Sequence, residues 1–487
     1  MSRWSRTTSL LIIGGMLPLA LLIRAQTVDN DLWGHLLFGL QVLKGLGLPQ
    51  ADFYSWTALG APWIDHEWLS ETLLAAAYLA GGVKGMLLLR ALLFAALAFA
   101  YDRLVRLGGP SRESRVLVFC AGLTGMGLYF NFRPHTATYL FLVLELHWVL
   151  CFFKTGSRLA YALPLLFMLW ANMHGGFILG LGVFLLLLAA HAVQGPKERR
   201  LCLRLAPVLV LCTAAVLCNP YGAEFPASVL RFMSNRRTYG FITEWHPYKF
   251  VLEPVSLMGL AYVVLASGVL YSSHRRMRWT EKALLALGLA LVLAARRNIP
   301  VAWVLGAYPL ARHETALSEL FARLRPRAIL ALQAAAVLFF AFFLWGRRHS
   351  LTGLYYSSRI FPAGPSRFME RNRLSGRLWN PFDSGEYLLW HLHRSGVLVG
   401  IDGRYDTVYP EEVYMRSHLL NASKITPDEA AGHADYVLMK KDAAASRMMG
   451  RPWKPLYEDR DFVLFGRKAR KGLLREEKPL GEGMLFP

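Results

Sequence analysis

The chain has 487 residues, 54% of them apolar and 18% charged, with a formal net charge of +21. Soluble domains average about 25% charged residues, so this composition excludes an ordinary soluble protein, and its apolar content excludes a disordered one. A nucleic-acid-binding protein would carry such a charge on a more polar chain. The sequence therefore predicts a membrane protein with basic loops, a lipid bilayer as its surroundings and no nucleic-acid partner.

Apolar stretches that could cross a bilayer, at about 20 residues per helix, recur along residues 1–345. The sequence predicts about eleven transmembrane helices, at 8–24, 86–102, 116–130, 136–153, 161–173, 176–192, 205–218, 253–272, 281–295, 298–311 and 328–345. Lys and Arg are concentrated in alternate loops, so the positive-inside rule predicts a cytoplasmic N-terminus and an extracytoplasmic C-terminal region.

The sequence changes character near residue 346. Three strand-like stretches, 397–401, 436–439 and 462–465, alternate there with turn residues such as Asp402-Gly403 and with helix-compatible segments. The predicted fold class is therefore an all-α polytopic membrane domain, residues 1–345, followed by a small extracytoplasmic α/β domain, residues 346–487.

The first predicted outer loop, residues 25–85, contains two apolar stretches at helical spacing, one after Asp31 and one after Trp68. Both are predicted to be juxtamembrane helices, with tryptophan at the headgroup level. Four carboxylates lie in this loop: Asp29, Asp31, Asp65 and Glu67. A carboxylate desolvated beside the bilayer becomes more basic and suits a general base toward a sugar hydroxyl.

Two other interpretations of Asp29 and Asp31 stay open. Both precede a helical stretch, where aspartate commonly caps the helix. They also form a D-x-D pair, whose oxygen ligands suit a divalent cation such as Mg²⁺ or Mn²⁺. No cofactor is otherwise predicted.

Further polar residues fall between later spans, on the same predicted side as the first outer loop. They are Arg133, His135, Asn172, His174, Glu244, Arg296 and Arg297. Together with His35 and His66 they are predicted to bind substrate or phosphate, because cations stabilise a phosphate leaving group while a carboxylate activates the nucleophile. The sequence contains no P-loop, G-x-S-x-G or H-E-x-x-H motif, which argues against ATP-driven transport and against serine or zinc hydrolysis.

The order of these motifs resembles the GT-C superfamily of polytopic glycosyltransferases, and within it an uncharacterised bacterial branch. The motifs are D-x-D-x-W-x-H-L at 29–36, H-E-W-L at 66–69, R-P-H at 133–135, N-x-H-G-G at 172–176, N-P-Y-G at 219–222, E-W at 244–245 and R-x-I-P at 297–300. Tail motifs of the branch occur at 380–387 and 401–404. The resemblance covers most of the chain.

The resemblance implies a catalytic acid in the first outer loop, at Asp31, with Asp29 second. Many members have Lys-Pro or His-Pro where this chain has His66-Glu67, so Glu67 is either a second acid or a partner that orients His66. The resemblance also implies a polyprenyl-phosphate-linked sugar donor, a bacterial inner-membrane location and an envelope glycan, lipid or protein as acceptor.

The function predicted from the sequence is therefore an inverting glycosyl transfer at the outer face of the membrane. Two alternatives remain. One is a transporter or flippase for lipid-linked sugars, which would place polar residues near the midplane of the bilayer. The other is a non-catalytic scaffold or glycan-binding protein. Neither alternative requires acids in the first outer loop.

Overall fold

The structure is a computed structural model that describes residues 28–234, 243–313, 353–422, 424–443, 453–467, 472–474 and 483–487, with a few positions between 334 and 345. The predicted span at 8–24 lies outside the described residues, as does most of the span at 328–345. The chain divides into two compact units. We call them the helical unit (Met1–Gln26, Leu87–Pro226 and Ile242–Leu351) and the mixed unit (Thr27–Met86, Ala227–Phe241 and Thr352–Pro487).

The fold is mostly helical, as the sequence predicts. The helices up to residue 313 are α1 (Leu32–Leu43), α2 (Trp68–Leu107), α3 (Arg112–Gly127), α4 (His135–Thr155), α5 (Leu163–Met173), α6 (Phe177–Ala192), α7 (Pro196–Ala215), α8 (Glu224–Ser234), α9 (Pro254–Ser273), α10 (Trp279–Ala294) and α11 (Ile299–Arg312). Short 3-10 turns lie at Arg158–Ala162, Thr243–Trp245 and Arg296–Asn298.

The core of the helical unit is centred on α11. Every residue from Ile299 to Ala311 is buried, and α11 packs against α3, α9 and α10. Within the described residues, three helices are long and apolar enough to cross a membrane: α2, α4 and α9. The chain therefore has the helices of a membrane protein, while the predicted number of about eleven spans is not confirmed.

The sequence predicts a second juxtamembrane helix and, separate from it, a second span. In the structure both belong to helix α2. Its backbone is non-helical at Gly81 and Gly82, where Gly82 has a φ of +57°. Residues with a Cβ rarely adopt that conformation, so the glycine pair allows the kink between the two helical halves.

The C-terminal part of the mixed unit is an α/β structure. Its strands are β1 (Tyr355–Ser357), β2 (Gly376–Trp379), β3 (Val397–Val399), β4 (Tyr436–Lys440), β5 (Lys454–Glu458), β6 (Phe462–Gly466) and β7 (Gly483–Leu485). Five of them form a sheet in the order β3-β2-β4-β6-β5, parallel on the β3 side and antiparallel on the β5 side, and β1 pairs with β7. The helices are α12 (Ala363–Arg371), α13 (Gly385–Leu392), α14 (Glu411–Asn421) and α15 (Pro427–Ala431). The three predicted strand regions correspond to β3, β4 and β6.

The first outer loop belongs to the mixed unit, together with the C-terminal α/β structure. Trp33 of α1 is fully buried, with its ring centroid 4.9 Å from that of Tyr387 and 4.5 Å from that of Phe486. Ser55 pairs with Val399 at the β3 edge. The prediction that tryptophan of α1 lies at the headgroup level is therefore wrong, because aromatic side chains of the protein enclose the indole of Trp33.

Candidate active site

The two predicted catalytic aspartates stand at the start of α1. Asp31 occupies the N-cap position, and its backbone N–H donates to Asp29 Oδ1 at 3.1 Å. The Asp31 side chain makes no cap hydrogen bond to the first turn of α1, all of which the structure describes. The capping interpretation is therefore correct for the position of Asp31 and wrong for the role of its carboxylate.

A third carboxyl group lies beside Asp31, and the sequence analysis assigned it no role. Glu386, the second residue of α13, accepts a hydrogen bond from the Gly34 N–H with Oε2 at 3.2 Å. Its side chain is buried, and burial, together with the nearby charges of Asp31 and Asp402, raises the pKa of Glu386 well above its usual range. The C-terminal region thus contributes a second carboxyl group next to the predicted base.

His35 of α1 lies close to Glu67, the residue that directly precedes α2. His35 Nδ1 is hydrogen-bonded to Glu71 Oε1 at 2.8 Å and lies 3.8 Å from Glu67 Oε2. His66 Nε2 lies 3.7 Å from Glu67 Oε1. Glu67 therefore stands between both predicted histidines, and this arrangement fits the role of a partner that orients His66.

Within the described residues, one group has the spacing of a metal site, and it is made of His35, Glu67 and Glu71. Their candidate ligand atoms lie within 4.8 Å of one another. The imidazole and carboxylate donors suit a divalent cation. The predicted pair Asp29 and Asp31 does not belong to this group.

Burial also shifts the ionisation of residues next to Glu67. It raises the pKa of the Asp65 carboxyl and lowers the pKa of the His66 imidazole, because burial disfavours the charged form of each group. Asp65 Oδ1 accepts the Glu67 N–H at 3.1 Å and thereby fixes the turn that begins α2.

A buried arginine joins the first outer loop to the C-terminal α/β structure. Arg404 donates from Nη1 to Asp52 Oδ1 at 2.7 Å and from Nε and Nη2 to the two carboxylate oxygens of Asp402 at 2.9 and 2.7 Å. Its guanidinium carbon also lies 4.6 Å from the ring centroid of Trp63 and 5.1 Å from that of Tyr54. This network joins Asp52 of the first outer loop to Asp402 in the turn after β3.

The predicted cations of the helical unit are held by acidic and aromatic partners. Arg133 Nη1 lies 3.3 Å from Glu244 Oε1, and the guanidinium carbon of Arg297 lies 4.1 Å from the ring centroid of Trp245. The two contacts are neighbours because Glu244 and Trp245 belong to one 3-10 turn. Arg296 forms an ion pair with Glu253.

Three further predicted residues occupy the ends of α4 and α5. His174 Nδ1 accepts the Gly176 N–H at 3.0 Å and lies 2.9 Å from Thr138 Oγ1. His135 Nε2 is hydrogen-bonded to the Tyr129 carbonyl at 3.1 Å, and its ring centroid lies 6.3 Å from that of His174. Asn172 donates from Nδ2 to the Cys218 carbonyl at 2.9 Å, so it fastens α5 to the segment after α7.

The structure thus sorts the predicted site residues into two sets. The mixed unit contains Asp29, Asp31, His35, His66 and Glu67; the helical unit contains Arg133, His135, Asn172, His174, Glu244, Arg296 and Arg297. Sequence reasoning missed Glu71, Glu386 and Arg404. Glu386 and Arg404 lie within the tail motifs at 380–387 and 401–404, which were the available signal.

No protein-family model matches the chain, and no curated protein matches it by sequence. Solved structures do match. An oligosaccharyltransferase of Archaeoglobus fulgidus in the apo form aligns over 89% of this chain and 69% of its own, with a TM-score of 0.60 and 11% identity. The same archaeon's AglB, in complex with an inhibitory peptide and a dolichol-phosphate, aligns over 90% and 69%, with a TM-score of 0.55 and 12% identity.

ArnT of Cupriavidus metallidurans in the apo state aligns over 95% of this chain and 98% of its own, with a TM-score of 0.52 and 11% identity. The chain shares the fold of these solved structures. At such low identity the likeness establishes the fold alone, so the bacterial branch and its motifs stay a prediction.

Proposed function

We propose that this chain is an integral-membrane glycosyltransferase that transfers a sugar from a polyprenyl-phosphate donor to an envelope acceptor. The fold supports this proposal, because the solved structures that share it include an oligosaccharyltransferase. One of those structures contains a dolichol-phosphate, which is a lipid phosphate of the proposed class. The acceptor is a glycan, a lipid or a protein.

The observation that carries the proposal is the placement of Asp31 at the N-cap of α1, with a second carboxyl group from the C-terminal region beside it. Asp31 removes the proton from an acceptor hydroxyl, and the oxygen attacks the anomeric carbon as the bond from that carbon to the phosphate oxygen breaks. The configuration at that carbon is inverted. Polyprenyl phosphate leaves with the bonding electrons.

The cations of the helical unit serve the leaving group in this proposal. Arg133 and Arg297 stabilise the negative charge that develops on the phosphate, and His174 donates a hydrogen bond to it. Glu244 and Trp245 orient the two arginines, as their contacts in the structure indicate. Arg296, His135 and Asn172 support the same region.

We further propose that the protein is a multi-pass protein of a bacterial inner membrane. Its N-terminus would lie in the cytoplasm and its C-terminal region outside, as the distribution of basic residues predicts. The reaction would then take place at the outer face, where lipid-linked sugars meet envelope acceptors. A resident metal is not required, because an aspartate base and cationic residues supply the groups that this reaction needs.

The test is the envelope glycan profile of a deletion strain complemented with wild type, Asp31→Asn or Asp442→Asn. Asp442 is exposed and provides a matched control for the same substitution. Wild type and Asp442→Asn should restore the glycan, whereas Asp31→Asn should not, at equal protein level. Glycans that are the same in all strains, including the deletion, would favour the scaffold, and restoration by Asp31→Asn would refute the assignment of Asp31.

A further inference from the structure

The first turn of α1 obtains its hydrogen-bond acceptor from a distant part of the sequence. The first N–H groups of a helix have no partner within the helix, and the N-cap side chain usually accepts one of them. Asp31 holds the N-cap position, yet the Gly34 N–H donates to Glu386, which lies 352 residues further along the chain. Because Glu386 satisfies this donor, the Asp31 carboxylate does not have to turn back onto its own helix.

Two glycines shape the space that receives the Glu386 side chain. A Cβ atom at Gly34 would lie 2.4 Å from Glu386 Cδ, and one at Gly403 would lie 2.4 Å from Glu386 Oε1. The Gly403 position would also lie 3.3 Å from Asp31 Oδ1. The two carboxyl groups therefore face the same gap beside Gly403, which any larger residue would fill.

We propose that Glu386 is a positioning residue for Asp31: by accepting the Gly34 N–H in the gap beside Gly403, it fixes the first turn of α1 and thereby the catalytic carboxylate. This inference rests on the proposed function. It gives the C-terminal region a direct part in the reaction, because α13 supplies the group that sets the position of the base.

The charged groups around Glu386 agree with this role. Asp31, at the N-cap of α1, and Glu71, on α2, both interact electrostatically with Glu386. Asp402 and Arg404, in the turn after β3, do the same. Burial among these carboxyl groups raises the pKa of Glu386, so the site disfavours the charged form of its side chain. Glutamine has the same shape and also presents an oxygen acceptor, so it should replace Glu386 in this role.

The experiment measures initial transfer rates of the purified full-length protein. The donor is a radiolabelled polyprenyl-phosphate-sugar fraction extracted from host membranes. Glu386→Ala should lower kcat by about 10- to 100-fold with an unchanged KM for the donor, since a small displacement of a reacting group has an effect of this size. Glu386→Gln should keep kcat within about threefold of wild type, because the acceptor for Gly34 is retained. Glu412→Gln, at an exposed position on α14, is the matched control.

A second variant separates positioning from folding. Gly403→Ala keeps both carboxyl groups but displaces them, and it should lower kcat as Glu386→Ala does. Gly182→Ala is its control, because a Cβ atom there meets no neighbour within 4 Å.

The inference would be overturned if Glu386→Ala or Gly403→Ala kept the kcat of wild type. It would also be overturned if Glu386→Gln lost as much of kcat as Glu386→Ala does. A different result would refute the proposed function itself: full transfer activity in Asp31→Asn.

Discussion

The network around Arg404 gives the sharpest prediction about stability. The Arg404 side chain is 4% exposed, and the side chains of its partners Asp52 and Asp402 are 0% exposed. Asp52 is further held by the N–H groups of Tyr54 and Ser55, so it cannot rotate toward water when the arginine is removed. Arg404→Ala therefore leaves two buried carboxylates without their cation.

The expected loss in the free energy of unfolding follows from this burial. Breaking a buried ion pair by removing one partner costs about 3–5 kcal/mol in the free energy of unfolding. For a unit of roughly 200 residues this corresponds to a decrease in Tm of about 6–20 °C. Arg404→Lys should lose about half as much free energy of unfolding, because lysine keeps the charge but cannot bind both oxygens of Asp402.

The assay is thermal unfolding in detergent, followed by the intrinsic fluorescence of tryptophan. Trp63 lies against the Arg404 guanidinium and reports on this region. Arg394→Ala, at an exposed arginine, is the control and should change the free energy of unfolding by less than about 0.5 kcal/mol. A loss in Arg404→Ala as small as that of the control would refute this account of the network.

Three further predictions follow from the same structure. Because the pKa of Glu386 is raised in the folded state, folded protein binds this proton more tightly than unfolded protein, and the stability of wild type falls as the pH rises. Glutamine does not titrate, so the Tm of Glu386→Gln minus that of wild type should increase between about pH 5 and about pH 8. A Tm difference that stays constant over this range would contradict the prediction. Arg297→Ala should lower kcat/KM for the lipid donor by roughly 10- to 100-fold, since a hydrogen bond to a charged group is worth about 1.5–3 kcal/mol. Trp245→Ala should have a smaller effect, because it removes only the ring that stacks on Arg297. Initial rates at several donor concentrations measure this, and an unchanged kcat/KM in Arg297→Ala would contradict its role at the phosphate. Treatment with a chelator should leave transfer unchanged, because the proposed reaction uses an aspartate base and cationic side chains. Loss of activity that Mn²⁺ restores would instead assign a metal to the cluster of His35, Glu67 and Glu71.

Local patterns in the sequence predicted the helices and strands that depend on residues close together in the chain. The helices that begin at Leu32 and Trp68 follow from apolar spacing, and strands β3, β4 and β6 follow from runs of apolar and β-branched residues. Strands β1, β2, β5 and β7 were not predicted, because they are short or polar and their pairing depends on partners distant in the sequence.

The candidate site was predicted in part. Asp31 and Glu67 could be identified from charge and position within the first outer loop, but their partners could not. Glu386 and Arg404 contact the loop across more than 350 residues of sequence, and no periodicity links positions so far apart. What the sequence did show was a cluster of polar residues in the tail motifs, and the structure explains it by burial beside the first outer loop.

The central claim is that Asp31 is the base of a sugar transfer from a lipid phosphate. The most direct test uses purified protein in liposomes, supplied with the radiolabelled polyprenyl-phosphate-sugar fraction and an envelope extract as acceptor. Wild type and Asp442→Asn should release polyprenyl phosphate and label the acceptor, while Asp31→Asn, folded to the same Tm, should do neither. Equal labelling by Asp31→Asn, or no labelling by any of the three proteins, would contradict the claim.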